Sequence, residues 1–376
     1  MINKIFLTET LNKLNTISAD FLNANTFVGL DGYIDFIQRA VKSQNEEGPE
    51  YFATIEDFAQ HIGKAAGKSA QIELVTQETK LGGNAPIMAH ALGSLGFKTT
   101  CIGNFGKESI DHVFQDIHEN VELLSVGNSA TTNALEFHDG KIILSEVGPF
   151  KGLDWEYLKK EAGFETLTSK INLSSLVALV DWCNLPFSTN IWEGILNEIM
   201  PSANQSNRHF FFDIADPSRR SDKEIQEALE VIGGYNTFGK VTLGLNENET
   251  EKLYSCLNRI NQTSEEESIS LIEKGNYIYK NINVWNLLIH PTDRAISINN
   301  SGVSEIAGRF VKHPKISTGG GDNFNAGYCL GQLSGLDIES SMITGIANSG
   351  AYVQNGKSSS LDELKKYLTN WINESE

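Results

Sequence analysis

Short runs of β-branched and other apolar residues recur along the chain, each bounded by polar or glycine-rich stretches. Residues 26–30, 99–103, 175–180, 209–213, 240–245 and 284–289 are apolar on successive positions instead of alternate ones, which predicts strands buried on both faces. Between and after them the apolar positions fall at three- and four-residue spacing. That spacing predicts helices over 86–95, 108–118, 189–200, 223–232, 247–259, 268–279, 323–334 and 340–354. Strand and helix in turn, repeated this often, imply a doubly wound α/β architecture with a mostly parallel sheet and helices on both faces.

Two regions break the alternation. After Asp35 comes a polar, helix-containing insertion that closes on Gln-Ile-Glu-Leu-Val-Thr-Gln-Glu-Thr at 71–79, where apolar and polar residues alternate. Residues 131–137 and 141–145 flank Asp139-Gly140, the strand, Asp-Gly turn, strand form of a hairpin. The expectation is one α/β domain over 1–376, with a small β-sheet lid formed by insertions at about 35–80 and 130–148. Glu265 to Glu267 form a charge run that reads as a solvated first helical turn.

Charge narrows the function classes. The chain has 376 residues, with 30 Lys plus Arg against 48 Asp plus Glu and a formal net charge of −18. Nucleic acids and anionic membranes reward clustered cations, so neither is the expected partner. With 40 % hydrophobic and 21 % charged residues the composition is that of a folded globule, not a disordered chain. The opening residues lack the apolar centre of a secretory signal, and Cys101, Cys183, Cys256 and Cys329 are scattered with no C-x-x-C and no zinc-ligand spacing. A reduced, cytoplasmic protein is expected.

The segment richest in chemistry is Ser-Thr-Gly-Gly-Gly-Asp at 317–322, set directly before a helix pattern. Consecutive glycines let backbone amides converge, and a helix N-terminus adds roughly half a positive charge there, so the segment forms an anion hole. Asp322 at the head of that helix has two readings. It is a helix cap, as Asp often is, or a general base beside a phosphate whose bonds are changing.

Here the sequence resembles the ribokinase (PfkB) family of carbohydrate kinases, whose late signature is a Gly-x-Gly-Asp at a helix start followed by Ala-Gly. The resemblance extends to Gly82-Gly83-Asn84 with the small residues after it, Asp216-Pro-Ser-Arg-Arg220, and Asn246-Glu-Asn-Glu249, in family order over roughly 29–356. It implies an ATP- and Mg²⁺-dependent kinase acting on a hydroxyl of a small sugar. Asp322 would be the base, and the amides of Gly319, Gly320 and Gly321 would stabilise the phosphoryl group in transfer. Asn246 and Glu249 would order Mg²⁺, largely through water; their other reading is a strand end with an acidic helical turn. Asp35, placed at the end of the first strand, would hold sugar hydroxyls, with Asp31 its rival, and Gly82, Gly83 and Asn84 would form the opposite wall. Thr318, Arg294 and Asn348 would face the nucleotide, although Arg294 equally suits a surface acid and Asn348 a helix position among small neighbours. The exposed lid offers a homodimer interface.

The pattern departs from the family in places. Ile87 and Ile316 stand where members often carry an Asn and a cation-holding Asp, and His-Pro-Thr-Asp-Arg-Ala at 290–295 replaces the usual Thr-x-Gly-x-x-Gly nucleotide loop. A potassium site is therefore not implied. The Gly-Lys-Ala-Ala-Gly-Lys-Ser at 63–69 has one residue too few between its glycines for a P-loop. A nucleoside kinase of the same fold and a non-catalytic sugar or nucleotide sensor are the competing readings; an intact Asp322 with its glycine run argues against the sensor.

Overall fold

The apolar runs form the strands they predict, because a chain apolar on both faces can only be satisfied between two helical layers. The structure, a computed structural model, describes residues 4–17, 24–46, 48–203, 207–263, 269–309, 311–312, 314–316 and 318–375. The strands are β1 (Asn25–Gly29), β2 (Tyr33–Asn45), β3 (Gly48–Tyr51), β4 (Leu74–Gly82), β5 (Lys98–Gly103), β6 (Val121–Ser125), β7 (Ala130–Phe137), β8 (Gly140–Glu146), β9 (Ser174–Leu179), β10 (Arg208–Asp213), β11 (Gly239–Leu245), β12 (Asn286–Ile289), β13 (Arg294–Asn299) and β14 (Gly302–Ala307).

The main sheet has the order β14-β13-β12-β11-β10-β9-β1-β5-β6, parallel from β12 to β6, with β13 and β14 antiparallel at one edge. Phe210 and Phe212 of β10 pack into one helical layer with Trp192 and Tyr235, and Phe211 into the other with Tyr328. One strand thus feeds two cores, the physical content of a doubly wound sheet. From β1 the chain passes to β5 on one side and later returns through β9 on the other. The order therefore reverses at β1, and in open α/β sheets ligands bind at the carboxyl ends of the strands beside such a reversal.

A second sheet, β3-β2-β7-β8 with β4 added to β2, stands over that end. The predicted hairpin is β7 and β8, and the alternating segment is β4. Its small core holds Ala40, Phe52, Phe58 and Leu135.

Some expectations are corrected. Residues 108–118 form no α-helix, only a single turn at His112–Phe114. The amide of Asp111 bonds to Phe105 O at 2.7 Å and its carboxylate accepts from Ser129 Oγ at 2.6 Å, so the backbone is tied outward where a helix would tie it to itself. Asp35 is not at the end of the first strand: β1 stops at Gly29 and Asp35 lies within β2, opposite Lys80 of β4. The helix over 189–200 runs as Ser188–Gly194 and then widens into a π-turn at Ile195–Ile199. Helices at Lys4–Asn15, Trp155–Ala162, Phe164–Leu173 and Leu361–Glu374, and the strands β6, β13 and β14, were not marked by the pattern. The 265–267 charge run, Ser317 and the first three residues lie outside the described residues. No helix among the described residues is long and apolar enough to cross a membrane.

Candidate active site

The carboxyl ends of the central strands carry acids. Asp31 follows β1, Asp181 follows β9, Asp213 closes β10, and Glu249 begins the helix after β11; all are buried. Asp322 joins them from the N-terminal turn of the helix Gly320–Leu333. Burial is the main force on each, and it disfavours the charged form. Asp322 is held well above the usual carboxylate range by burial first and then by repulsion from Asp213, Asp31 and Glu249. Asp181 is raised in the same way, by burial and by Asp31 and Asp213.

Local backbone sets Asp322 where it is. Gly319 adopts φ of 87°, the left-handed conformation that turns the chain into the helix, and a Cβ there would meet Tyr352 Oη at 2.8 Å. Its carbonyl accepts from Asn323 N at 3.0 Å and Asn323 Nδ2 at 2.9 Å, and Thr318 O accepts from Tyr352 Oη at 2.8 Å. The loop is pinned, while the amides of Gly320 and Gly321 head the helix without an acceptor among the described residues. Gly321 is exposed while Gly320 and Asp322 on either side of it are buried, so an anion can reach the helix head at Gly321 while the carboxyl stays dry. That pairing can stabilise negative charge and accept a proton within one helical turn.

Asn246 and Glu249 form a capping box. Glu249 accepts from Asn246 N at 2.8 Å and from Asn246 Nδ2 at 2.7 Å, and Glu249 N donates to Asn246 Oδ1 at 2.8 Å. This is the acidic helical turn that the Asn-Glu-Asn-Glu pattern also allowed. Among the described residues no group of three or more His, Cys, Asp or Glu converges as a metal cage. The donor set still fits a divalent cation that keeps most of its water: burial and the charges of Asp213 and Asp216 raise Glu249, a surplus of buried negative charge that a hydrated cation would relieve.

The two acids near the lid divide their work. Asp31 accepts from Asn84 N and Ala85 N, each at 2.7 Å, and so caps the helix Asn84–Ser94, whose N-cap Gly83 has no side chain to do it. Asp35 makes no such backbone contact. Burial raises it, offset by Lys80, the Thr132 hydroxyl and Lys141. Gly82 packs flat on it: a Cβ there would lie 2.2 Å from the Asp35 carboxyl carbon. Gly83, at φ of 100°, packs on Asp31, where a Cβ would lie 2.5 Å from Asp31 Oδ2. The Asn84 side-chain amide takes no hydrogen bond from the described residues, so it is open to a ligand.

Arg294 pairs with Asp293 and Glu305, and Asn348 is fully buried, its amide donating to Asn323 O at 2.7 Å. The former thus meets surface acids and the latter joins two helices. The glycines and lysines at 63–69 form the end of the helix Ile55–Gly63 and an exposed turn, away from any strand end. Residues missed by the sequence reading include Asp181, Asp213 with its partner Asn325 at 3.2 Å, His290 stacked on Phe324 at 4.8 Å, and the lid lysines Lys80 and Lys141. The signal for Asp213 was there, at the last position of an apolar strand; Asp181 and the lysines needed the fold.

The sequence pattern of the prokaryotic ketohexokinase family matches residues 9–371. A ketohexokinase from Haloferax volcanii is 24% identical over 347 residues, covering 92% of this chain and 90% of that protein. Among solved structures, a ribokinase from Arabidopsis thaliana complexed with ribose and ATP superposes with a TM-score of 0.63 at 14% identity, covering 92% of this chain and 98% of its own. A Thermotoga maritima ribokinase gives 0.62 at 14%, with 93% and 100% covered, and a Methanocaldococcus jannaschii nucleoside kinase 0.61 at 14%, with 92% and 98%. The fold is that of the ribokinases.

Proposed function

Because the chain belongs to the prokaryotic ketohexokinase family, we propose that this sugar kinase transfers the terminal phosphoryl group of ATP to a hydroxymethyl group of a ketohexose. The observation that carries the reading is the exposed Gly321 in the first turn of the helix, with the Gly320 amide beneath it and the buried carboxyl of Asp322 beside it. In this reading the acceptor hydroxyl loses its proton to Asp322 as its oxygen attacks phosphorus in line, and the proton leaves with the base. The amides take up charge on the equatorial oxygens, a preorganised contribution that dominates phosphoryl transfer.

Asp35 is the sugar clamp, with Gly82 and Asn84 forming the wall beside it. A buried carboxylate accepting two adjacent hydroxyls penalises analogues that lack one of them. Asp31 serves by fixing the Asn84 helix and not by touching sugar, which its occupied oxygens support. Glu249 and Asp213 would hold Mg²⁺ through water; when bound, the ion neutralises charge on the donor phosphates. Closing the lid sheet, which bears Asp35, onto Thr318 would exclude water and so favour transfer over hydrolysis. Two lids would meet along β8, an edge strand that exposes Ile143 and Leu144.

A coupled ADP-release screen tests the donor, the metal and the acceptor together, run over ketohexoses, aldoses and nucleosides with Mg²⁺ and with chelator. Turnover with a ketohexose, dependent on Mg²⁺, is expected, and Asp322→Asn is expected to lose about 10³-fold or more of kcat while still binding the sugar. Turnover only with nucleosides would transfer the reading to a nucleoside kinase. Wild-type kcat in Asp322→Asn would end the base assignment.

A further inference from the structure

The lid carries two cations that form no ion pair among the described residues, although Asp35 feels both and Glu136 acts on Lys141. Lys80 lies on β4 and Lys141 on β8, strands from opposite edges of the small sheet, yet their charges are close enough to repel and to act on Asp35. Among the described residues Lys80 has neither an ion pair nor a hydrogen bond, and the Lys141 ammonium donates only to a neutral group, Thr318 Oγ1. Like charges placed together at a half-buried site cost free energy unless something of opposite sign joins them. The lid's own acids do not supply it: Glu78 and Glu136 line the same cleft but are exposed and form no ion pair with either lysine among the described residues.

Position says what the missing anion is. Lys80 and Thr318 line a cleft of about 520 Å³ between the lid and the body, together with Ile37 of the strand that bears Asp35. Thr318 directly precedes the glycine loop that opens to solvent at Gly321, and Lys80 sits in register opposite Asp35. Lys80 is thus beside the sugar clamp Asp35 and Lys141 is bonded to the residue that leads into the glycine loop. The strand-end side of the site is lined by Asp31, Asp181, Asp213, Glu249 and Asp322, which offer an arriving polyphosphate no cation, so any cation for it must come from the opposite side. From this we propose that Lys80 and Lys141 grip the phosphoryl group in transfer from the lid side, facing the helix amides, so that the site is electrostatically complete only when the lid is shut. The proposal rests on the kinase reading above, and it makes both lysines catalytic residues.

Lys80→Met and Lys141→Met keep the stem and remove the charge. In steady-state assays with a ketohexose and ATP, each is expected to lower kcat about 100-fold, with the sugar KM changed less than about 3-fold and the melting temperature held. Lys141→Arg is expected to restore a good part of the rate. Independently of turnover, calorimetric titration with inorganic tripolyphosphate should be at least about tenfold weaker in the Lys80→Met/Lys141→Met protein than in wild type. Unchanged kcat in both variants overturns the proposal, as does a rise in sugar KM with kcat intact, which would make the lysines sugar clamps. A loss confined to phosphorylated ketoses also overturns it, because the lysines would then hold a phosphate that the acceptor already carries. If wild type turns over no ketohexose, the kinase reading falls by itself, and the tripolyphosphate arm still decides whether the lid lysines bind phosphate.

Discussion

At the scale of single residues, three glycines that look alike in sequence carry different constraints. Gly319 needs its left-handed φ of 87°, and a Cβ would collide with Tyr352 Oη at 2.8 Å. Gly321 has ordinary helical geometry, and a Cβ would reach nothing closer than His290 Cε1 at 3.4 Å. Gly82 faces the Asp35 carboxyl at 2.2 Å. Gly319→Ala should therefore lower the melting temperature by several degrees. Gly321→Ala should fold like wild type but lose about tenfold or more of kcat, since the added methyl crowds the amides. Gly82→Ala should mainly raise the sugar KM by displacing Asp35. Melting curves beside kinetics on the three proteins check this; a Gly321→Ala enzyme with full kcat would remove the anion hole from the mechanism. The Gly-Gly-Gly-Asp run was legible because it is local. The choice between Asp31 and Asp35 was not, since it depends on which carboxylate the Asn84 and Ala85 amides consume, a contact across more than 50 residues of chain.

Among elements, the buried strands were the clearest because burial on both faces writes the same apolar run wherever it occurs. The segment 108–118 misled for a related reason: Ile110, Val113, Phe114 and Ile117 fall at helical spacing, yet Phe114 alone is fully buried and the others lie half-exposed on an irregular surface. Strand β14 escaped notice because an edge strand need bury only one face: it buries Ile306 and leaves Val303 exposed. The lid's edge yields a prediction at this scale. In β8 both Ile143 and Leu144 are more than half exposed, at 55% and 53%, on a strand whose outer hydrogen-bonding side is unpaired among the described residues. A second copy that pairs there would cover them. Light scattering after size exclusion should give a dimer for wild type and a monomer for Ile143→Lys/Leu144→Glu, with the melting temperature of the monomer close to wild type. A wild-type monomer at tens of micromolar concentration would remove the lid as an interface.

At the scale of the whole molecule, the net charge of −18 is not spread evenly. Some surface acids are matched: Asp216 with Lys252 and Asp222 with Arg259 are ion-paired, and Glu363 is held by the Ser360 amide and then by Lys357, all of which lowers their titration ranges. A cluster of buried acids sits at the strand ends, where burial pushes Asp31 up to about 7 and Glu249 to about 8, and holds Asp322 and Asp181 well above the usual carboxylate range. These groups keep protons in the folded state that the unfolded chain releases near pH 4. Stability from such groups is fully present below the unfolded value and is lost as pH rises through the folded ones, at roughly 1.4 kcal/mol per pH unit for each proton retained. His209 and His290, pushed down to about 4 by burial, act in the opposite sense, but only at or below about pH 6.5, the ordinary histidine value. The paired surface acids have finished titrating by then as well. Between pH 6.5 and 8 the buried cluster therefore governs, and in chelator the melting temperature should fall by a few degrees across that interval. Mg²⁺ binds the ionised cluster and not the protonated one, so the increment it adds to the melting temperature should grow with pH. Thermal unfolding at half-unit pH steps, with EDTA and with Mg²⁺, measures both trends. A melting temperature in EDTA that is flat or rising over the interval would mean that the acids are already ionised and matched by groups other than a cation, and the role given to Glu249 and Asp213 as metal-ordering carboxylates would fall with it.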